Sequence, residues 1–123
     1  MTIAAESRLL KTDMGAVALA YAQRGWAVLP LHNPNEHGAC SCGVPKCPSP
    51  GKHPIPALVK NGLLGASADP AQVARWWSQR PEANIGIVCG AVSGLLVIDV
   101  DGPEGEDTLA LLESELGPLP ETV

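Results

Sequence analysis

Gly94-Leu95-Leu96-Val97-Ile98-Asp99-Val100-Asp101 is a run of strand-forming aliphatic residues that closes on two carboxylates two positions apart. Side chains alternate faces along a strand, so Asp99 and Asp101 are expected on one face and Leu96, Ile98 and Val100 on the other. Two neighbouring carboxylates repel each other, and strand formation does not ask for them. A hard divalent cation does, because Mg²⁺ or Mn²⁺ takes oxygen ligands and bridges to phosphates. The plainer alternative is a strand end whose acids face water. An EF-hand loop does not fit: counted from Asp99, its glycine position is Glu104 and its terminal glutamate position is Ala110.

Working outward, Asn84–Cys89 reads as a second strand, and Ala91-Val92-Ser93-Gly94 as the turn that joins it to the Asp-x-Asp strand in a hairpin. Before it, Asp69-Pro70-Ala71-Gln72 has the pattern of a helix start, with a capping box and proline in the first turn. Val73, Trp76 and Trp77 make the apolar side of that helix, and Pro81 follows its end. The tryptophan pair could stack a nucleic-acid base, but its position on the apolar face points to the core. Nearer the N-terminus, Met14, Val17, Ala18 and Tyr21 recur at helical spacing; Thr12 or Asp13 can cap that helix and Gly25 stops it. Trp26–Leu31 is a short strand. After the acidic strand, Leu109, Leu112 and Leu116 mark a last helix ended by Gly117-Pro118.

The chain has 123 residues, enough for one modest domain, and 46% of them are hydrophobic although none is Phe. No apolar run is long enough to span a bilayer, and Met1–Glu6 lacks the basic and apolar regions of a signal peptide, so a cytoplasmic, reducing location is expected. The net charge is −5, unevenly spread. Residues 46–80 carry Lys46, Lys52, Lys60, Arg75 and Arg80 against Asp69 alone, whereas residues 99–121 carry eight acids and no Lys or Arg. A nucleic acid would have to meet the middle segment.

That segment begins in residues 32–56, rich in Pro, Gly, Cys and His and without periodicity. A loop this long in a compact domain is usually functional or held by a metal. Cys40-x-Cys42-x₄-Cys47-x₅-His53 offers three thiolates and an imidazole, a closed tetrahedral shell of the structural Zn²⁺ type. Bound metal would offset the entropy of ordering a loop with no core of its own. His37 is an alternative fourth ligand. Cys89 is expected as a small buried hydrophobe in a strand, and His32 as a loop histidine outside the ligand set.

Several stretches, in order, resemble one family. They are Gly25-Trp26-Ala27-Val28-Leu29-Pro30, the Cys-rich insert ending in Pro50-Gly51-Lys52-His53-Pro54, and Ala66-Ser67-Ala68-Asp69-Pro70. Then come Trp76-Trp77, Pro81-Glu82-Ala83-Asn84-Ile85-Gly86-Ile87 and Ser93–Asp101. From about Met14 onward the chain resembles the N-terminal part of the bifunctional DNA primase/polymerase domain, a branch of the archaeo-eukaryotic primase superfamily common in plasmids, phages and integrated elements. The resemblance implies an α+β primase-polymerase core, with residues 1–123 the N-terminal part of a single domain and residues 32–56 a zinc-loop insert. It implies nucleotidyl transfer on a DNA template and primer with nucleoside triphosphates, and a possible downstream helicase domain. Asp99 and Asp101 match the family's first metal-binding motif, for Mg²⁺ or Mn²⁺, and the Cys/His loop resembles the zinc-bound insert of some members. Ser67-Ala68-Asp69 departs mildly from the usual Ser-Thr-Asp. The family's phosphate-binding histidine and third carboxylate have no counterpart here and are expected beyond Val123. On that reading the catalytic domain is incomplete and the isolated chain inactive.

Two rival readings use the same residues. Leu95–Gly102 also resembles the first motif of haloacid-dehalogenase-like phosphatases, with Asp99 the nucleophile and Asp101 the general acid. Against it, Pro103 stands where that family has a hydroxyl residue, and the motif lies far from the N-terminus. The other rival is a non-catalytic, zinc-stabilised nucleic-acid-binding module that uses the basic 46–80 segment.

Overall fold

The computed structural model describes residues 12–122; the N-terminal stretch read above for a targeting signal, and Val123, lie outside them. Helix α1 spans Met14–Gln23, strand β1 Val28–Leu31, helix α2 Pro70–Gln79, strand β2 Asn84–Ile87 and helix α3 Gly102–Leu116, with one 3₁₀ turn at Gly62–Gly65. The result is a small α+β fold, as the family resemblance implies.

Both early helices start where their capping residues stand. Asp13 Oδ1 accepts from the Ala16 N–H at 3.1 Å, and Asp69 Oδ1 from the Ala71 N–H at 3.2 Å, satisfying amides that have no partner inside a helix. The expected capping box of α2 is only half made. Ser67 Oγ, not Gln72, takes the Asp69 N–H at 2.9 Å, and Gln72 Oε1 instead accepts from Arg75 at 2.7 Å.

β1 and β2 pair antiparallel, with Val28 opposite Ile87 and Leu31 opposite Asn84. The other edge of β1 is covered by chain returning from the loop. Val28 and Ser67 exchange backbone hydrogen bonds, the His32 N–H donates to His53 O, and the Ile55 N–H donates to Pro30 O. β1 is thus enclosed on both edges, and Val28, Leu29 and Pro30 are fully buried. Gly86 lies across from Leu29, where a Cβ would come within 2.8 Å of Leu29 Cδ2. The core joins Ala18 and Ala22 of α1, Val28 and Leu29 of β1, Val73, Trp76 and Trp77 of α2, and Ile55 and Val59 of the returning chain. Both tryptophans are core residues, and their indole N–H groups donate to Leu58 O at 3.2 Å and Ala83 O at 3.0 Å, so neither ring is left to stack a base.

Two expectations are corrected. The Asp-x-Asp stretch makes no ladder: after the single Gly90–Leu95 bridge, residues 96–100 carry no strand hydrogen bonding among the described residues. A strand exists only with a partner for its backbone groups, and β2 stops at Ile87. Leu96 is accordingly 89% exposed, with Val97 and Ile98 also open to solvent. Cys89, past the end of β2, is exposed and not a buried hydrophobe. The leucines of α3 are also uncovered: that helix buries none of its residues, and Leu116 is 82% exposed.

Candidate functional site

The irregular loop folds as two arms around four side chains. In the first arm Pro34 bridges Cys40, the Asn35 N–H donates to Ala39 O, and Asn35 Oδ1 accepts from His37 and Ala39. The second arm turns through Gly51, whose φ is +72° and whose N–H points at Cys40 Sγ from 3.4 Å. Gly51 O accepts from the Asn84 side-chain amide at 2.9 Å, which ties this arm to β2.

Between the arms the ligand atoms of Cys40, Cys42, Cys47 and His53 all lie within 4.8 Å of one another. His53 Nε2 is 3.5 Å from Cys40 Sγ and 3.4 Å from Cys47 Sγ. A tetrahedral Zn²⁺ with Zn–S of about 2.3 Å and Zn–N of about 2.0 Å has S···N edges of about 3.5 Å. The two S···N separations match those edges, and all four cysteines of the chain are free thiols. This Cys₃His set can hold a zinc ion. His37 is not part of it; it is exposed and lines an open cleft with Asn33–Glu36, Pro81 and Glu82.

The electrostatics favour metal at this place. Burial opposes ionisation of Cys40, but the Gly51 N–H, the Cys42 backbone and the Cys42 and His53 side chains overcome it and lower its pKa to about 6. Around Cys47 a backbone hydrogen bond at Ser49 favours the thiolate, yet burial and the Cys42 and Cys40 sulfurs push its pKa up on balance. The Cys40 thiolate is thus available at neutral pH, whereas Cys47 would need a cation beside it to favour the thiolate.

His32 belongs to this site, although the sequence reading set it aside as a loop histidine. It is 7% exposed, and its ring lies 4.7 Å from that of His53. Ser41 Oγ accepts from the Asn33 N–H at 3.0 Å and from Arg80 at 3.4 Å. The hydroxyl proton is left for His32 Nδ1, 2.7 Å away, which places the imidazole proton on Nε2. Burial first, then the charges of His53 and Arg80, hold the His32 pKa below its usual value, which favours the neutral ring. The signal available in sequence was its place directly after a buried strand.

Asp99 and Asp101 stand apart from the Cys/His cluster, and both are exposed. Asp101 occupies the N-cap position of α3 with extended backbone (φ −109°, ψ 108°), yet its side chain takes no hydrogen bond from the helix. A capping acid normally satisfies a first-turn amide. Here its oxygens remain free, as an oxygen-seeking cation would need, and two carboxylates leave room for the waters that Mg²⁺ retains. Among the described residues no helix is long and apolar enough to cross a membrane.

Compared with known proteins, the chain matches neither a curated protein nor a solved structure. The family model described as bifunctional DNA primase/polymerase, N-terminal, matches residues 18–123, a span that takes in the Cys/His loop and both aspartates. The chain therefore belongs to the bifunctional DNA primase/polymerase N-terminal family, whose function is of the DNA primase/polymerase type.

Proposed function

We propose that residues 1–123 form the N-terminal part of a single primase/polymerase domain that serves replication of a plasmid, phage or integrated element in the cytoplasm. Its reaction is nucleotidyl transfer, with DNA template and primer and nucleoside triphosphates as substrates and a helicase domain as a partner. Asp99 and Asp101 are the metal-holding pair. A divalent cation bound there supplies charge neutralisation for the triphosphate and activation of a primer hydroxyl. The carboxylates' own part is to stay unpaired and open to solvent at the head of α3. Cys40, Cys42, Cys47 and His53 hold a structural zinc that orders the 32–56 insert.

The observation that carries this reading is the family match running through an Asp-x-Asp pair whose capping member leaves its helix amides alone. The test is Mn²⁺ binding, followed by electron paramagnetic resonance. Asp99→Asn and Asp101→Asn should each weaken it by about tenfold or more, the scale on which loss of even an outer-sphere partner is felt. Both residues are exposed, so stability should stay within about 0.5 kcal/mol of the parent. Unchanged Mn²⁺ affinity in both variants rejects the assignment.

A further inference from the structure

From His37 to Ala68 the chain carries Lys46, Lys52 and Lys60 and not one carboxylate, in a protein whose net charge is −5. All three lysines are exposed. Lys46 directly precedes Cys47, and Lys52 directly precedes His53, the two residues whose ligand atoms meet at 3.4 Å. The cluster therefore fixes the backbone at both lysines, while their long side chains reach outward from one small loop. The loop itself is fastened beside β1 through His53 O, to β2 through Gly51 O and to the end of α2 through Ser41 Oγ. In an occupied Cys₃His centre the three thiolates outweigh Zn²⁺ by one charge, so two of the three lysine charges remain uncompensated. The exposed residues around Lys46 and Lys52 are mainly Pro, Gly and Ser, a composition poor in the aromatic and apolar anchors of a protein interface.

We propose that the metal loop is a grip for the phosphate backbone of single-stranded nucleic acid, made chiefly by Lys46 and Lys52. The role of the metal is to present the two ammonium groups from a rigid base. Such contacts position a strand and carry no base preference. The inference rests on the primase/polymerase reading only for the identity of the strand, a template.

The test uses the zinc-loaded 123-residue chain and a fluorescein-labelled oligothymidine of about 20 nucleotides, followed by anisotropy between about 50 and 200 mM KCl. The Lys46→Gln, Lys52→Gln double variant should flatten the slope of log K against log salt by about 1.4, or about 0.7 for each single-strand phosphate contact. At about 0.1 M salt the same change corresponds to roughly 25-fold weaker binding. The loss should be equal on oligodeoxyadenosine, with zinc content by elemental analysis unchanged. The anisotropy buffer contains no Mg²⁺ or Mn²⁺ and the Mn²⁺ titration contains no DNA, so failure of the carboxylate assignment and failure of the grip are separate results. An unchanged salt slope, or no oligonucleotide binding by the parent, overturns the proposal. Lysine-dependent binding of polyglutamate without DNA binding overturns it in favour of an acidic protein partner.

Discussion

Gly51 is the residue on which the metal loop turns. Its φ of +72° lies in the left-handed region, and an added Cβ would come within 2.8 Å of Pro34 Cδ and 3.1 Å of Asn84 Nδ2. Gly51→Ala combines backbone strain with a clash and should cost about 1–3 kcal/mol, read by thermal melting, with weaker zinc retention against a chelator. Gly43→Ala is the control. It has a similar φ of +80° but open space around the Cβ, so only the strain should appear, about 1 kcal/mol. A second expectation concerns the thiols of the metal-free chain. Alkylation follows the thiolate, so a lowered pKa moves reactivity to lower pH. Iodoacetamide labelling of Cys40, located by mass spectrometry, should rise through about pH 6 and then level off. Cys47, displaced upward, should remain slow until the solution is more alkaline than an ordinary thiol requires. A common midpoint for the two would contradict the hydrogen-bond pattern around Gly51. At this scale the ligand set was legible in sequence, because cysteine and histidine in a coreless loop have few other uses. The choice of His53 over His37, and the part played by His32, depend on which way the two arms fold.

The helices and strands separate into a packed set and an unpacked one. Trp76 and Trp77 are each 4% exposed in the core, whereas Leu111 of α3 is 58% exposed. Trp76→Ala should therefore destabilise by about 3–5 kcal/mol in urea unfolding, since it leaves a cavity and strips Leu58 O of its donor. Leu111→Ser should stay within about 0.5 kcal/mol. A large loss at Leu111 would mean that α3 buries its apolar side in solution. The contrast also marks how far periodicity can be read. The α1 and α2 patterns predicted both the helices and their buried faces, because each helix packs on the other and on β1. The same reasoning named the residues of α3 and of the 94–101 run but not their environment. Amphipathic spacing says that a face wants cover, not what covers it. The four-residue 3₁₀ turn at Gly62–Gly65 is too short to carry a period and escaped notice.

Over the whole molecule, the metal loop and the core are built from one continuous stretch of chain, which makes metal removal the most revealing perturbation. The chain leaves β1 at Leu31, passes through the Cys/His cluster and returns to bury Ile55 and Val59 in the core between α2 and β1. Between those points it buries little apolar surface, so ordering it costs about 1–2 kcal/mol per residue with small return from packing. Metal bound at about a thousand times its dissociation constant adds about 4 kcal/mol to the folded state. In a domain of this size each kcal/mol moves the melting temperature by about 4 °C. Zinc removal with 1,10-phenanthroline should therefore lower it by roughly 15 °C. No disulfide is present, so a non-chelating phosphine reductant should leave the melting temperature unchanged. Hydrogen exchange should show where the loss begins. Protection at the Ser41 and His32 amides, which donate to Asn33 O and His53 O, should go first, followed by Ile55 on Pro30 O. The Val73 and Arg80 amides at the two ends of α2 should hold longest, because that helix keeps its contacts with α1 and β1 when the loop opens. If chelated protein melts with the holoprotein, the Cys₃His cluster contributes nothing to folding, and the loop must draw its order from the hydrogen bonds of Asn35, Ser41 and Gly51 alone.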